Sequence, residues 1–271
     1  MADFGISSWS LHGLLGQVWY EEDGDRQVLQ RGEPAGALTL LALPAECARQ
    51  GITQLEICHF HFPRLDAVYL AELRSAAAVA GVQINNLLLD SGNLASLDDD
   101  SWYLDMAQAK RWLQIAAAVG AKGVRIDCGV EPAGPATIAR AAAALRELAD
   151  EAAVLGLRIS TENFRQTSLE AADLLQILAQ ADRDIGLCVD YGNAAKTADK
   201  YGTLAQLLPH GTSVHAKPDM PNDQIDTADL NRCLELTQTA GFSGPLILIV
   251  GETDKEWERA MALKAEIAVS C

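Results

Sequence analysis

The feature that most limits how this chain can fold is a recurring junction. Helical stretches stop at Gly51, Gly81, Gly120, Gly156 and Gly241, and each stop is followed within a few residues by a short apolar run. A glycine just past the last turn ends a helix, and a short apolar run bounded by turns reads as a buried strand. The runs are 54–58, 83–89, 122–128, 157–162 and 245–250, joined by 4–9, 185–190 and 212–217. Helices are expected at 44–50, 64–80, 101–119, 136–155, 168–181, 203–208, 227–240 and 255–268, with Ser168 as an N-cap. Strands alternating with helices imply a parallel sheet with right-handed crossovers. Eight such units in about 250 residues have the size of a (β/α)8 TIM barrel, here a single domain over 1–271. A doubly wound open sheet is the alternative. No GxGxxG follows the first strand and no GxxxxGK[ST] occurs anywhere, so no nucleotide site is signalled.

Residues 10–41 form an unusually long polar connection after the first strand, suited to a lid or binding loop. Trp19 and Tyr20 within it could stack on a ligand or anchor the loop to its own body.

Strand parity groups the polar residues. In 157–162, Leu157, Ile159 and Thr161 alternate with Arg158, Ser160 and Glu162, so the last three share a face. Arg125 shares a face with Asp127, and Glu56 with Gln54. In a TIM barrel the C-terminal strand ends carry the active site. Those ends hold Trp9, His12, Glu56, His59, Asp90, Arg125, Asp127, Glu162, Asp190, Asn193, His215 and Lys217. Buried without partners, such groups would cost several kcal/mol each, so a ligand, a metal or mutual pairing must satisfy them.

Four segments in this order, Gly51-Ile52-Thr53-Gln54-Leu55-Glu56-Ile57, Thr161-Glu162-Asn163, Val189-Asp190-Tyr191-Gly192-Asn193 and Val214-His215-Ala216-Lys217-Pro218-Asp219, resemble the xylose-isomerase-like barrels. That family includes sugar-phosphate isomerases and epimerases, inosose dehydratases and the endonuclease IV type. The resemblance implies a divalent metal, Mn, Mg or Zn, held by Glu162, Asp190 and His215. The family's fourth ligand, a Glu on the eighth strand, falls where this chain has Ile249. Glu252 lies three residues later, and a bulge at Gly251 would be needed to turn it inward. Asn193 stands where a His is frequent.

The function so implied is isomerisation or epimerisation of a sugar, sugar phosphate or inositol-derived compound through a metal-stabilised enediolate. A carboxylate moves the carbon-bound proton and a cation stabilises the developing charge. Glu162 and Lys217 are the expected catalytic groups. His12, Glu56, Arg125 and Asn193 are the expected contacts to a small polyhydroxylated substrate. The alternative is a metal-free, catalytically reduced barrel serving as a sugar-binding or regulatory protein, a reading that Ile249 favours. Homodimers are common in the resembled family, which leaves a homodimer open.

Simpler readings stand beside these. Glu162 and Arg125 could form a buried ion pair, or Arg125 could neutralise Asp127. Lys217 could pair with Asp219 or Glu162. His59 and His61 more often satisfy loop backbone than hold a metal.

The net charge of −16 argues against nucleic acid, whose phosphates need clustered Lys and Arg, and against anionic membrane surfaces. No apolar run approaches the roughly 20 residues of a membrane span. The start at Met1 lacks a basic region before an apolar one, so no secretory leader is expected. The six cysteines are scattered without a CxxC, as in a cytoplasmic protein with reduced thiols.

Overall fold

A computed structural model describes residues 3–23, 26–31, 36–251 and 254–270. The strands are β1 (Phe4–Ser7), β2 (Val18–Asp23), β3 (Arg26–Arg31), β4 (Gln54–Cys58), β5 (Gln83–Leu89), β6 (Gly123–Ile126), β7 (Arg158–Glu162), β8 (Gly186–Asp190), β9 (Ser213–Ala216) and β10 (Leu246–Leu248). All but β2 and β3 close into one parallel barrel in the order β1-β10-β9-β8-β7-β6-β5-β4. The expected (β/α)8 barrel is thus the observed fold. The helices are α1 (His12–Leu15), α2 (Leu43–Arg49), α3 (Ala67–Ala80), α4 (Asp99–Val119), α5 (Pro135–Val154), α6 (Arg165–Ser168), α7 (Ala171–Ala181), α8 (Tyr191–Ala194), α9 (Lys200–Leu207), α10 (Thr227–Thr239) and α11 (Glu256–Ser270). No helix among the described residues is long and apolar enough to cross a membrane.

Side-chain chemistry at the helix ends explains the boundaries. Asp66 and Asp98 accept from the backbone N–H groups of Tyr69 and Ser101 and so start α3 and α4. Gly81 and Gly120, at φ 67° and 74°, stop the same two helices in the left-handed conformation. Ser168 does not cap α7 as expected. It ends α6, and its hydroxyl donates to the Glu162 carbonyl, which ties that turn to the end of β7.

The connection after β1 is built rather than open. It holds the turn Ser8–Leu11, α1 and the antiparallel hairpin β2–β3. The Trp19 and Tyr20 side chains lie outside what the structure describes. Its first part is tied to the end of the chain: buried Glu256 accepts from Gly13 N at 2.7 Å and Leu14 N at 3.1 Å. Ser10 Oγ donates to Leu248 O at 3.2 Å and accepts from Val250 N at 2.9 Å.

Strand parity divides the protein into two environments. Val124, Ile126, Ile159, Leu187, Val189, Val214 and Ala216 belong to the apolar layer under the helices. The alternate positions, Arg125, Glu162, Asp190 and His215, are buried too, but they line the barrel's C-terminal end.

Candidate active site

The end of β7 is clamped to the end of β8. Asn163 Nδ2 donates to the Asp190 carbonyl at 3.0 Å, and Asp190 N–H donates to Asn163 Oδ1 at 2.8 Å. Asp190 Oδ1 accepts from Asn193 N–H at 2.6 Å and so starts α8. Its Oδ2 is left facing His215 Nδ1 at 3.4 Å. Glu162 Oε1 accepts from Asn193 Nδ2 at 2.7 Å, while Oε2 lies 3.6 Å from His215 Nδ1. The opposite ring nitrogen, His215 Nε2, lies 2.8 Å from Glu56 Oε2, and Asn86 Nδ2 donates to Glu56 Oε1 at 2.7 Å.

Arg125 supplies the positive charge on the other flank. Its Nη1 is 2.5 Å from Asp90 Oδ1 and its Nε is 3.1 Å from Glu162 Oε2. The buried ion pair is therefore present, but Arg125 serves Asp90 and Glu162 rather than Asp127. Asp127 pairs instead with Arg165 Nε at 2.8 Å.

These neighbours set the protonation states. Burial raises the Glu162 carboxyl above its ordinary value, outweighing the lowering by Arg125 and His215. Burial works the same way on Asp190, yet His215 and Lys217 hold it below the ordinary range. Burial opposes charge on His215 too, but Cys188, Glu162 and Asp190 raise its imidazole well above the usual value. The site thus offers a carboxyl poised upward for proton transfer beside one that stays ionised.

The cavity above these groups has a volume of about 210 Å3. Glu162, Asp190, His215, Arg125, Asn193 and Lys217 all line it, as does Ile249. Two expected contacts lie elsewhere. Glu56 is behind His215, below the cavity, because its strand-mid position points at the barrel axis. His12 packs edge-on to Trp9, with ring centroids 5.2 Å apart, and it is Trp9 that reaches the cavity. Lys217 pairs with neither Asp219 nor Glu162; its Nζ sits 4.4 Å from the Trp9 ring centroid, a cation–π contact. His59 accepts from Asp90 N–H at 3.3 Å, and His61 Nδ1 meets Ser8 Oγ at 2.7 Å. Glu252 falls outside the described residues. Lys196 and Phe164 also line the cavity and were not among the expected residues. The spacing Asp190-Asn193-Lys196, one turn per step, is what would have found Lys196, whose Nζ donates to Asn193 Oδ1 at 2.8 Å.

The donor set suits a metal. Two ligands each about 2.1 Å from one ion, near the tetrahedral angle, stand roughly 3.4 Å apart. The separations of His215 Nδ1 from Asp190 Oδ2 and Glu162 Oε2, 3.4 and 3.6 Å, match that span. Glu162 Oε2 is also buried without a hydrogen-bond partner, since Arg125 approaches it out of line. Cys188 Sγ is near as well: ligand atoms of Glu162, Cys188 and His215 lie within 4.8 Å of one another. Asp190, whose Oδ2 is 3.4 Å from His215 Nδ1, is the third ligand that the resemblance implies.

Comparison with known proteins then fixes the family. The xylose isomerase-like TIM barrel family matches residues 44–264 of the chain. The chain belongs to this family. No curated protein sequence matches it. Among solved structures, L-ribulose 3-epimerase is 18% identical with a TM-score of 0.72, over 100% of this chain and 94% of the other. A D-tagatose 3-epimerase-like protein is 17% identical with a TM-score of 0.72, over 100% and 98% of the two chains. A xylose isomerase-like TIM barrel protein from Mycobacterium smegmatis, in complex with magnesium, is 17% identical with a TM-score of 0.70, over 100% and 97%. At these identities the likeness is one of fold.

Proposed function

We propose that this xylose isomerase-like barrel is an isomerase or epimerase of a small polyhydroxylated carbonyl compound, a sugar or a close derivative. The observation that carries the reading is that Glu162 Oε2 and Asp190 Oδ2 both face His215 Nδ1, at 3.6 and 3.4 Å, on the wall of the cavity. The epimerases among the solved structures of like fold support it.

Glu162 is the base. Its raised carboxyl, held by Asn193 through Oε1, takes the proton from the carbon beside the carbonyl and delivers it to the neighbouring carbonyl carbon, so that an aldose and a ketose interconvert. Arg125 keeps Glu162 in place and adds positive charge beside it. Lys217, held over Trp9, is the second group able to pass a proton to or from a substrate oxygen. The apolar faces of Trp9, Phe164 and Ile249 bound the cavity and limit water around the reacting carbon. Glu162, Asp190 and His215 would hold a divalent ion, with Mn or Mg favoured by two carboxylates and an imidazole. Such an ion would supply positive charge where the enediolate's negative charge develops. Residence in the cytoplasm fits the free, buried state of Cys47, Cys58, Cys128, Cys188 and Cys233.

The second reading, a metal-free sugar binder, rests on Ile249, whose side chain occupies the cavity wall where the family places a carboxylate. One experiment separates the two. Metal content is measured by mass spectrometry on protein purified without chelators, beside a Glu162→Ala, Asp190→Ala double variant. Ketoses and aldoses are then incubated with the loaded protein in D2O and checked for deuterium at carbon. About one ion per chain, lost in the variant, with deuterium incorporation, supports the enzyme. No ion after incubation with Mn, Mg and Zn, together with sugar binding and no exchange, supports the binder.

A further inference from the structure

We propose that the N-terminal mouth of the barrel, at the end opposite the candidate active site, is a binding site for a small tetrahedral oxyanion such as inorganic phosphate. A second cavity of about 170 Å3 opens there, lined by the starts of β6, β7, β8 and β9. Gly123 and Gly186 leave it hollow. A Cβ on Gly123 would run into the Arg158 backbone carbonyl, and one on Gly186 would come within 2.8 Å of Thr212 Oγ1 and 3.0 Å of Ser160 Cβ, so the neighbouring strands approach too closely for any other residue.

The chemistry of the wall is that of an anion site. The Ser160 hydroxyl is buried and has no hydrogen-bond partner, and it lines the cavity. A buried hydroxyl left unsatisfied is unfavourable, so its place in a polar cavity points to a ligand or water that accepts from it. Lys122 stands at the mouth, exposed, with no ion pair among the described residues. Arg158 stands beside it, 2.5 Å from exposed Asp184, which neutralises part of its charge. Asp3 is the other nearby carboxylate, and it is engaged by the Gln54 amide. Asp184 takes Arg158 and Asp3 takes the Gln54 amide, which leaves Lys122 as a cation at the mouth with no carboxylate partner among the described residues. Charge-assisted hydrogen bonds from Lys122 and Arg158, with the Ser160 hydroxyl below, are the recognition set for an oxyanion.

The test is calorimetric titration of the full-length protein with millimolar inorganic phosphate at constant ionic strength, with chloride as the control. Lys122→Met and Ser160→Ala, both mild changes for folding, are run alongside, with a Glu162→Ala variant to report any binding at the other end of the barrel. Saturable binding that weakens tenfold or more in Lys122→Met and Ser160→Ala and persists in Glu162→Ala is the expected result. No saturable heat, binding equal in all four proteins, or binding lost in Glu162→Ala alone would each overturn the proposal. The site lies away from Glu162, Asp190 and His215, so its failure leaves the proposed activity untouched.

Discussion

Glu56 and His215 meet across the barrel axis, Oε2 to Nε2 at 2.8 Å, with both side chains almost fully buried. The contact fixes the imidazole so that Nδ1 faces Glu162 and Asp190. Burial alone would raise the Glu56 carboxyl, but the bonds from His215 and Asn86 and the charge of Arg125 hold it below its ordinary value. It therefore remains a carboxylate and a firm acceptor. Outer partners of this kind commonly matter about 10–100-fold in metal affinity or activity. Glu56→Gln is expected to lower Mn affinity and kcat by that order while the substrate KM changes little. Titration calorimetry with Mn and steady-state kinetics check it; an unchanged Mn affinity would remove Glu56 from the positioning role.

Ile249 offers a gain-of-function test. It lines the cavity with Glu162, Asp190 and His215. Ile249→Glu adds a fourth oxygen donor beside Glu162, Asp190 and His215, so Mn should bind at least about tenfold tighter. The free protein should lose stability, since a new buried carboxylate without an ion costs several kcal/mol. Mn titration and a melting curve with and without Mn measure both effects.

Arg125 neutralises two buried carboxylates at once. Arg125→Met leaves Asp90 and Glu162 facing each other with less compensation, and breaking a buried pair from one side costs about 3–5 kcal/mol. The expected outcome is a loss of that size in urea unfolding, together with a further rise in the Glu162 carboxyl seen as an alkaline shift of the activity profile.

Acid stability should depend on the turn after β4. Burial lowers His59 to about 4 and His61 to about 3. The folded protein keeps them neutral where the unfolded chain, near 6.5, takes up protons. Their contribution is complete above pH 6.5 and is lost as the pH falls from there toward 4 and 3. Between pH 6.5 and 5, each histidine should cost about 2 kcal/mol of stability. Asp127, raised by burial to about 7, acts with the opposite sign over part of this range. The comparison is therefore between profiles: denaturant unfolding of His61→Asn should be flatter than wild type by about 2 kcal/mol over that window. Parallel profiles would contradict the assignment.

Much of the barrel could be read from the chain because its strands keep strict parity. The alternation around Glu162 and Arg125 foretold which residues face inward, since a side chain in a strand has only two directions. What the sequence hid were contacts between turns. That Arg165 takes Asp127, freeing Arg125 for Asp90, follows from a residue at φ 50° in the turn after β7, which no periodicity reveals. Glu56 looked like a substrate contact because depth along the barrel axis is not encoded in alternation. The connection after β1 looked irregular because a polar hairpin alternates charge and apolar residues too weakly to stand out.

Parity has a consequence for how such a protein can change. The residues that bind the helices to the barrel and the residues that face its axis occupy alternate positions of the same strands. A substitution at an inward position such as Ile249 alters chemistry while the helix-facing layer of Val214, Ala216 and Leu248 keeps its contacts. The packing of helices on the barrel is therefore separate from the groups that face its axis, and a descendant can exchange one activity for another while that packing is kept.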